Sequence, residues 1–217
     1  MSERRARVAP YTRRVFDRPF TVGVPLEGAI DVDAVVRTIP SHYTVKGMFC
    51  KRFAELLGSG YSALALQLEA PAPAGKYVAF HDYPQADYTR IVVAASSVRF
   101  PGLPAREAVR RIAREDMAIF AKSMFGRVVL AFGVDARNTL HRVPDAYTRI
   151  APGTTVHTVD LDARTVQLEF EHPRGLLEYV MGQLEGIVLH FGAEPITIVR
   201  RKSIDTVAFE VAHGTLP

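Results

Sequence analysis

From Thr155 onward the spacing of apolar residues changes period twice, and those changes predict three successive elements. Val159 and Leu161, then Val166, Leu168 and Phe170, alternate with Gln167, Glu169 and Glu171. A period of two is that of a strand with one buried and one wet face, and Asp162-Ala163-Arg164 supplies the turn of a hairpin. The period then lengthens to three and four at Leu176, Leu177, Val180, Met181, Leu184, Ile187, Val188 and Phe191. That is a helix with a wide apolar face, ended by Gly192. Gly182 and Gly186 lie on one side of it, where another backbone can come close. Pro195 to Arg200 and Ile204 to Val211 predict a second hairpin, with Val207, Phe209 and Val211 on one face.

The preceding residues are mainly helical in pattern. Asp31 or Asp33 can cap a short helix that Pro40 ends. Val45, Met48, Phe49, Phe53, Leu56 and Leu57 recur at helical steps, and Gly58 follows as a terminator. Ser62 to Leu68 is apolar but too short for periodicity to separate helix from strand. Tyr77 to Tyr83 reads as extended, with Pro84 ending it, and Ala86 to Val98 as helical. Pro104 opens a helical stretch, residues 105–132, that can run as one long helix or two broken near Gly126, in which Ala105, Ala108, Val109 and Ile112 turn inward. Arg106, Arg110, Arg111 and Arg114 turn outward there, beside Glu107 and Glu115 as local ion-pair partners. Asp135 to Val143 predicts a further helix, ended at Pro144.

Together these elements predict an α+β fold. Several N-terminal helices pack on a four-stranded antiparallel sheet built by a C-terminal β-β-α-β-β unit. The expected division is a flexible basic arm over residues 1–14 and a single α+β domain over 15–217. Such a length, 217 residues with 48% hydrophobic and 23% charged, can bury a substantial core.

Charge adds one feature. The net charge is only +4, yet Arg4, Arg5, Arg7, Arg13, Arg14 and Arg18 crowd the first eighteen residues. Such an arm can grip phosphates or an anionic surface, although few aromatics accompany it for base stacking. Nucleic acid is accordingly a disfavoured partner. No apolar run approaches the roughly 20 residues of a membrane helix, and a single cysteine, Cys50, excludes an internal disulfide. Together these lead to an expected cytoplasmic location.

Candidate chemistry is sparse. Glycine-rich nucleotide fingerprints, a P-loop and a Gly-x-Ser-x-Gly elbow are all missing from the sequence, and no histidines stand at metal-ligand spacing. His81-Asp82-Tyr83 is the densest polar cluster. Adjacent residues of an extended chain point to opposite faces, however, so a His81–Asp82 general base is not expected. Glu169 and Glu171 share a face with Gln167 and read as a solvated surface.

YTVKGMFCKRFAELLG (43–58), FHDYPQADYTRIVVAASSVRFPGLPAREAVRRIAR (80–114) and GLLEYVMGQLEGIVLHFG (175–192) carry a resemblance. Over about residues 15–212 the chain resembles a myxobacterial paralogous family of proteins of unknown function. The C-terminal quarter is similar, more remotely, to the heme-nitric-oxide-binding, 4-vinyl-reductase-like and Bet3-type superfamily. The heme-binding members place Tyr-x-Ser-x-Arg just before the Gly-Leu that opens the last helix. Counting back from Gly175, this chain has Glu169, Phe170, Glu171, His172 and Pro173 there. Two acids would then face the heme propionates, so heme is disfavoured and no cofactor is expected. His141, near a helix end, does not stand out as an axial ligand. The non-heme members imply a dimer with an apolar cavity between helices and sheet, and the trafficking subunits can carry an acyl chain on a cysteine there.

The expected function is therefore a non-catalytic cytosolic sensor or adaptor. It would bind a small apolar ligand or a protein partner as a homodimer, with Phe49, Cys50 and Phe53 as ligand-binding residues. Two other readings are an arm-assisted binder of nucleic acid or anionic surfaces, and an enzyme acting on a small substrate through the His81 region.

Overall fold

The computed structural model describes residues 29–122, 126–127, 134–150, 153–203 and 205–214. The expected basic arm, residues 1–14, lies outside them.

Helix α1 (Val32–Arg37) starts where the Asp31 side chain accepts a hydrogen bond from the Ala34 amide. Strand β1 (Thr44–Lys46) leads directly into α2 (Gly47–Leu57). The helix thus starts later than the Val45 the periodicity suggested, because Thr44, Val45 and Lys46 pair with Pro84, Tyr83 and Asp82 of β2 (Asp82–Pro84). Gly47 is required at this junction: a Cβ there would lie 2.6 Å from the Tyr83 ring. The ambiguous apolar stretch overlaps α3 (Tyr61–Ala65), and only the end of Tyr77–Tyr83 is a strand. Helices α4 (Gln85–Arg99) and α5 (Ala105–Lys122) follow. Asp87, buried in the first turn of α4, accepts the Glu69 and Ala70 amides at 2.8 Å each and so fixes the loop before it.

Asp135 caps α6 (Ala136–Leu140). Pro144 does not terminate a long helix as its sequence position suggested. It lies in the first turn of α7 (Val143–Ile150), where its missing N–H is harmless. Strands β3 (Thr155–Asp162) and β4 (Thr165–Glu171), helix α8 (Leu177–His190), and strands β5 (Ile196–Arg201) and β6 (Thr206–Ala212) complete the order. The four strands form one antiparallel sheet in the order β3-β4-β6-β5. The α+β architecture and the β-β-α-β-β unit are those expected.

One expected face is reversed. The register sets Val159 opposite Gln167 and Val156 opposite Phe170. Val159 and Leu161 are therefore on the outer face, half exposed, while Val156 joins Val166, Leu168, Phe170, Val207, Phe209 and Val211 under α8. A bulge between Asp160 and Asp162 shifts the register at the strand end.

Helices α5 and α8 run side by side in the same direction, from the Arg106–Glu178 pair at one end to Met117–Gly186 at the other. A Cβ on Gly182 would lie 2.7 Å from that of Ala113, and one on Gly186 would lie 2.6 Å from that of Met117. The two glycines let the backbones meet, as their spacing suggested. This closeness reorients the arginines of α5. Arg106, Arg110 and Arg114, four apart and so on one stripe, turn towards α8, while of the expected local partners Glu107 lies 3.9 Å from Arg110. Arg106 pairs with Glu178, and Arg110, only 2% exposed, pairs with the fully buried Glu185. Glu115 pairs with Arg99 and Arg52.

Candidate functional site

Two adjoining cavities lie where the N-terminal helices meet α7, α8 and the sheet. The larger, about 100 Å³, is lined by Val45 and Phe49, by Tyr88, Thr89 and Val92 of α4, by Phe170 of β4, and by Arg174, Tyr179 and Val180 among others. The smaller, about 80 Å³, is bounded by Met117, Phe120, Val143, Leu184 and Ile187, with Asp116 and Arg142 at its wall. Phe49, Tyr147 and Gln183 line both. These three come from α2, α7 and α8, so one partition joins three otherwise separate elements. The Tyr147 hydroxyl donates to Gln183 Oε1 at 3.3 Å, and the Phe49 ring stacks on Phe120 at 6.3 Å between centroids.

Behind the partition runs a chain of polar groups. Asp116 accepts from Arg52 at 2.6 Å and from the Tyr179 hydroxyl at 2.7 Å. The Tyr179 oxygen in turn accepts from the Tyr88 hydroxyl at 2.7 Å. Burial first, and then the nearby Asp116 charge, pushes both tyrosines well above the ordinary phenol range. They are neutral donors whose direction is set by the carboxylate at the end of the chain.

Of the three expected ligand-binding residues, Phe49 lines both cavities. Phe53 lies behind, fully buried, its ring against those of Tyr88 and Tyr179. Cys50 is also fully buried. Loss of water, reinforced by the Asp87 charge, pushes its thiol up to about 12, so it stays neutral at physiological pH. His81 is exposed and packs against the Tyr83 ring, while Asp82 is taken by Lys46 at 2.8 Å. His81 lies just before β2, so the two residues have separate partners without a shared hydrogen bond among the described residues.

The sequence pattern passed over Arg174, Tyr88, Tyr179 and Gln183. Tyr179 and Gln183 share a face at helical spacing, and that periodicity was the available signal.

A family profile described as "Protein of unknown function (DUF2378)" matches residues 38–212. The chain belongs to this family. No curated protein matches it by sequence. Among solved structures the fold is that of H-NOX proteins. The Fe(II) unliganded H-NOX protein from K. algicida is 16% identical, with a TM-score of 0.60 over 79% of this chain and 97% of that one. The S. oneidensis H-NOX protein in the Fe(II)NO state is 15% identical, with a TM-score of 0.60 over 76% of this chain and 97% of that one. A mutant of T. Tengcongensis H-NOX gives 0.57 at 15% identity, over 77% and 96%.

The likeness is one of fold, and the residues of this DUF2378 chain do not fit a heme. All seven histidines of the chain lie among the described residues, and none lines either cavity; Cys50 lines neither. The larger cavity is well below the roughly 300–1,000 Å³ of ordinary ligand clefts. Glu169 and Glu171, counted onto the heme-binding motif, do not face the cavity as that count suggested. Strand alternation turns them to the other side of β4, where Lys202 takes Glu169 and His157 lies 3.6 Å from Glu171, while Phe170 between them faces inward. Among the described residues no group of three or more His, Cys, Asp or Glu could hold a metal ion, and no helix is long and apolar enough to cross a membrane.

Proposed function

We propose that this domain is a non-catalytic sensor or adaptor that takes a small, largely apolar ligand in the larger cavity. The observation that carries this reading is the partition of Phe49, Tyr147 and Gln183, shared by both cavities. A ligand on one side of it presses on α2, α7 and α8 together, so occupancy is coupled to the packing of the helices on the sheet. Phe49 is the direct contact, and Phe53 backs the Tyr88 and Tyr179 rings. Cys50 contributes as a small buried apolar group.

The H-NOX proteins named above are known in Fe(II) and Fe(II)NO states, and heme distortion has been studied in the H-NOX family. In this chain the same chamber would serve a smaller occupant. Native mass spectrometry of the purified protein, followed by extraction of co-purified small molecules, tests this and also reads the oligomeric state. The expected result is a bound small molecule that is lost in Phe49→Trp, whose larger ring fills the partition, with far-UV circular dichroism unchanged. Protein that carries nothing, and that neither phenol nor indole stabilises against heat, would overturn the reading. So would a sharp Soret band at one equivalent of hemin.

A further inference from the structure

Arg174 stands apart in the wall of the larger cavity. It is the one charged residue among the described residues lining that cavity, and no carboxylate shares the wall. Its Nε is buried without a hydrogen-bond partner among the described residues. Its backbone is nevertheless fixed. The Arg174 carbonyl accepts from Gln85 Nε2 at 3.3 Å, and Gly175 takes φ +89°, a conformation open mainly to glycine. A guanidinium nitrogen withdrawn from water with nothing to donate to is unfavourable, and an anion in the cavity would relieve it once the side chain turns to meet it.

The tyrosines of the same wall are set in the opposite sense. Asp116 can only accept, so Tyr179 donates to it and Tyr88 donates to Tyr179. The Tyr88 proton is committed, which leaves its oxygen with lone pairs only. A ligand group meeting Tyr88 must bring its own proton. The cavity, about 100 Å³, is of the order of the ~150 Å³ engineered cavity that holds one benzene, which sets the body of the ligand at a single ring or a short chain.

We infer that the ligand is a small hydroxy acid on an aromatic-sized apolar body, with its carboxylate on Arg174 and its hydroxyl donating to the Tyr88 oxygen. This rests on the cavity being a ligand site and names the class that fits it.

Titration calorimetry with 4-hydroxybenzoate, benzoate and phenol tests it. The wild-type protein binds 4-hydroxybenzoate about tenfold or more tighter than phenol, the range of a charge-assisted hydrogen bond. Arg174→Gln abolishes that advantage and leaves phenol unchanged, and Arg174→Lys restores part of it. Tyr88→Phe weakens 4-hydroxybenzoate and phenol but not benzoate. Equal binding of the acid and phenol, or an advantage that survives Arg174→Gln, overturns the anion site. A Tyr88→Phe variant that discriminates as the wild type does overturns the hydroxyl site. In either case phenol binding keeps the cavity reading intact. If none of the three binds, the cavity reading falls with the inference.

Discussion

Glu185 of α8 and Arg110 of α5 meet with both side chains withdrawn from solvent, and Arg110 Nε donates to Glu185 Oε2 at 2.8 Å. A second guanidinium, Arg114, donates to the same oxygen at 2.6 Å. Two charges in a low-dielectric contact attract strongly, but each has lost its water, so the pair makes a small net contribution to stability. What it enforces is registry. Sliding α5 along α8 would bury one charge without the other.

Removing one partner should therefore cost more than removing both. Glu185→Ala is expected to destabilise by about 3–5 kcal/mol in urea unfolding, because Arg110 is left buried with only Glu107, 3.9 Å away, as a counter-charge. A double replacement, Glu185→Leu with Arg110→Leu, is expected to recover most of that loss, since Arg114 is partly exposed and can turn to water. A single variant as stable as the wild type would show that Arg110 reaches solvent on its own.

The glycines of α8 yield a second expectation. Alanine normally favours a helix over glycine by about 1 kcal/mol, yet Gly182→Ala would set a methyl 2.7 Å from that of Ala113. Overpacking of this kind costs about 1–3 kcal/mol, so the melting temperature should fall. Gly102→Ala, with nothing within 4 Å, is the control and should lie within about 0.5 kcal/mol of wild type. Equal behaviour of the two variants would deny the close approach of α5 and α8.

Cys50 makes stability depend on pH in a defined direction. Its thiol is held at about 12 in the folded chain against 9.0 for the ordinary group. A thiol raised on folding contributes stability that is whole below about pH 9 and fades as pH rises towards 12. The difference in unfolding free energy between wild type and Cys50→Ala should thus be flat to about pH 9 and shift against the wild type above it. Correspondingly, a disulfide reagent at pH 8 should label Cys50 only after unfolding. Rapid labelling of the native protein would place the thiol in solvent.

Local pattern determined the β-β-α-β-β unit, the ends of α8 and the glycine pair, because strand alternation, helical period and backbone freedom are all properties of neighbouring residues. The same logic misassigned Arg110, whose partner lies 75 positions away, and Val159, whose face follows from its register against Gln167. The cavity belongs to this second kind of fact. Phe49, Tyr147 and Gln183 come from three elements with no common periodicity, and Asp116 sets the direction of Tyr88 only through Tyr179. Those relations arise when the helices close on the sheet, since burial, charge pairing and hydrogen-bond direction depend on which distant groups share a volume without water.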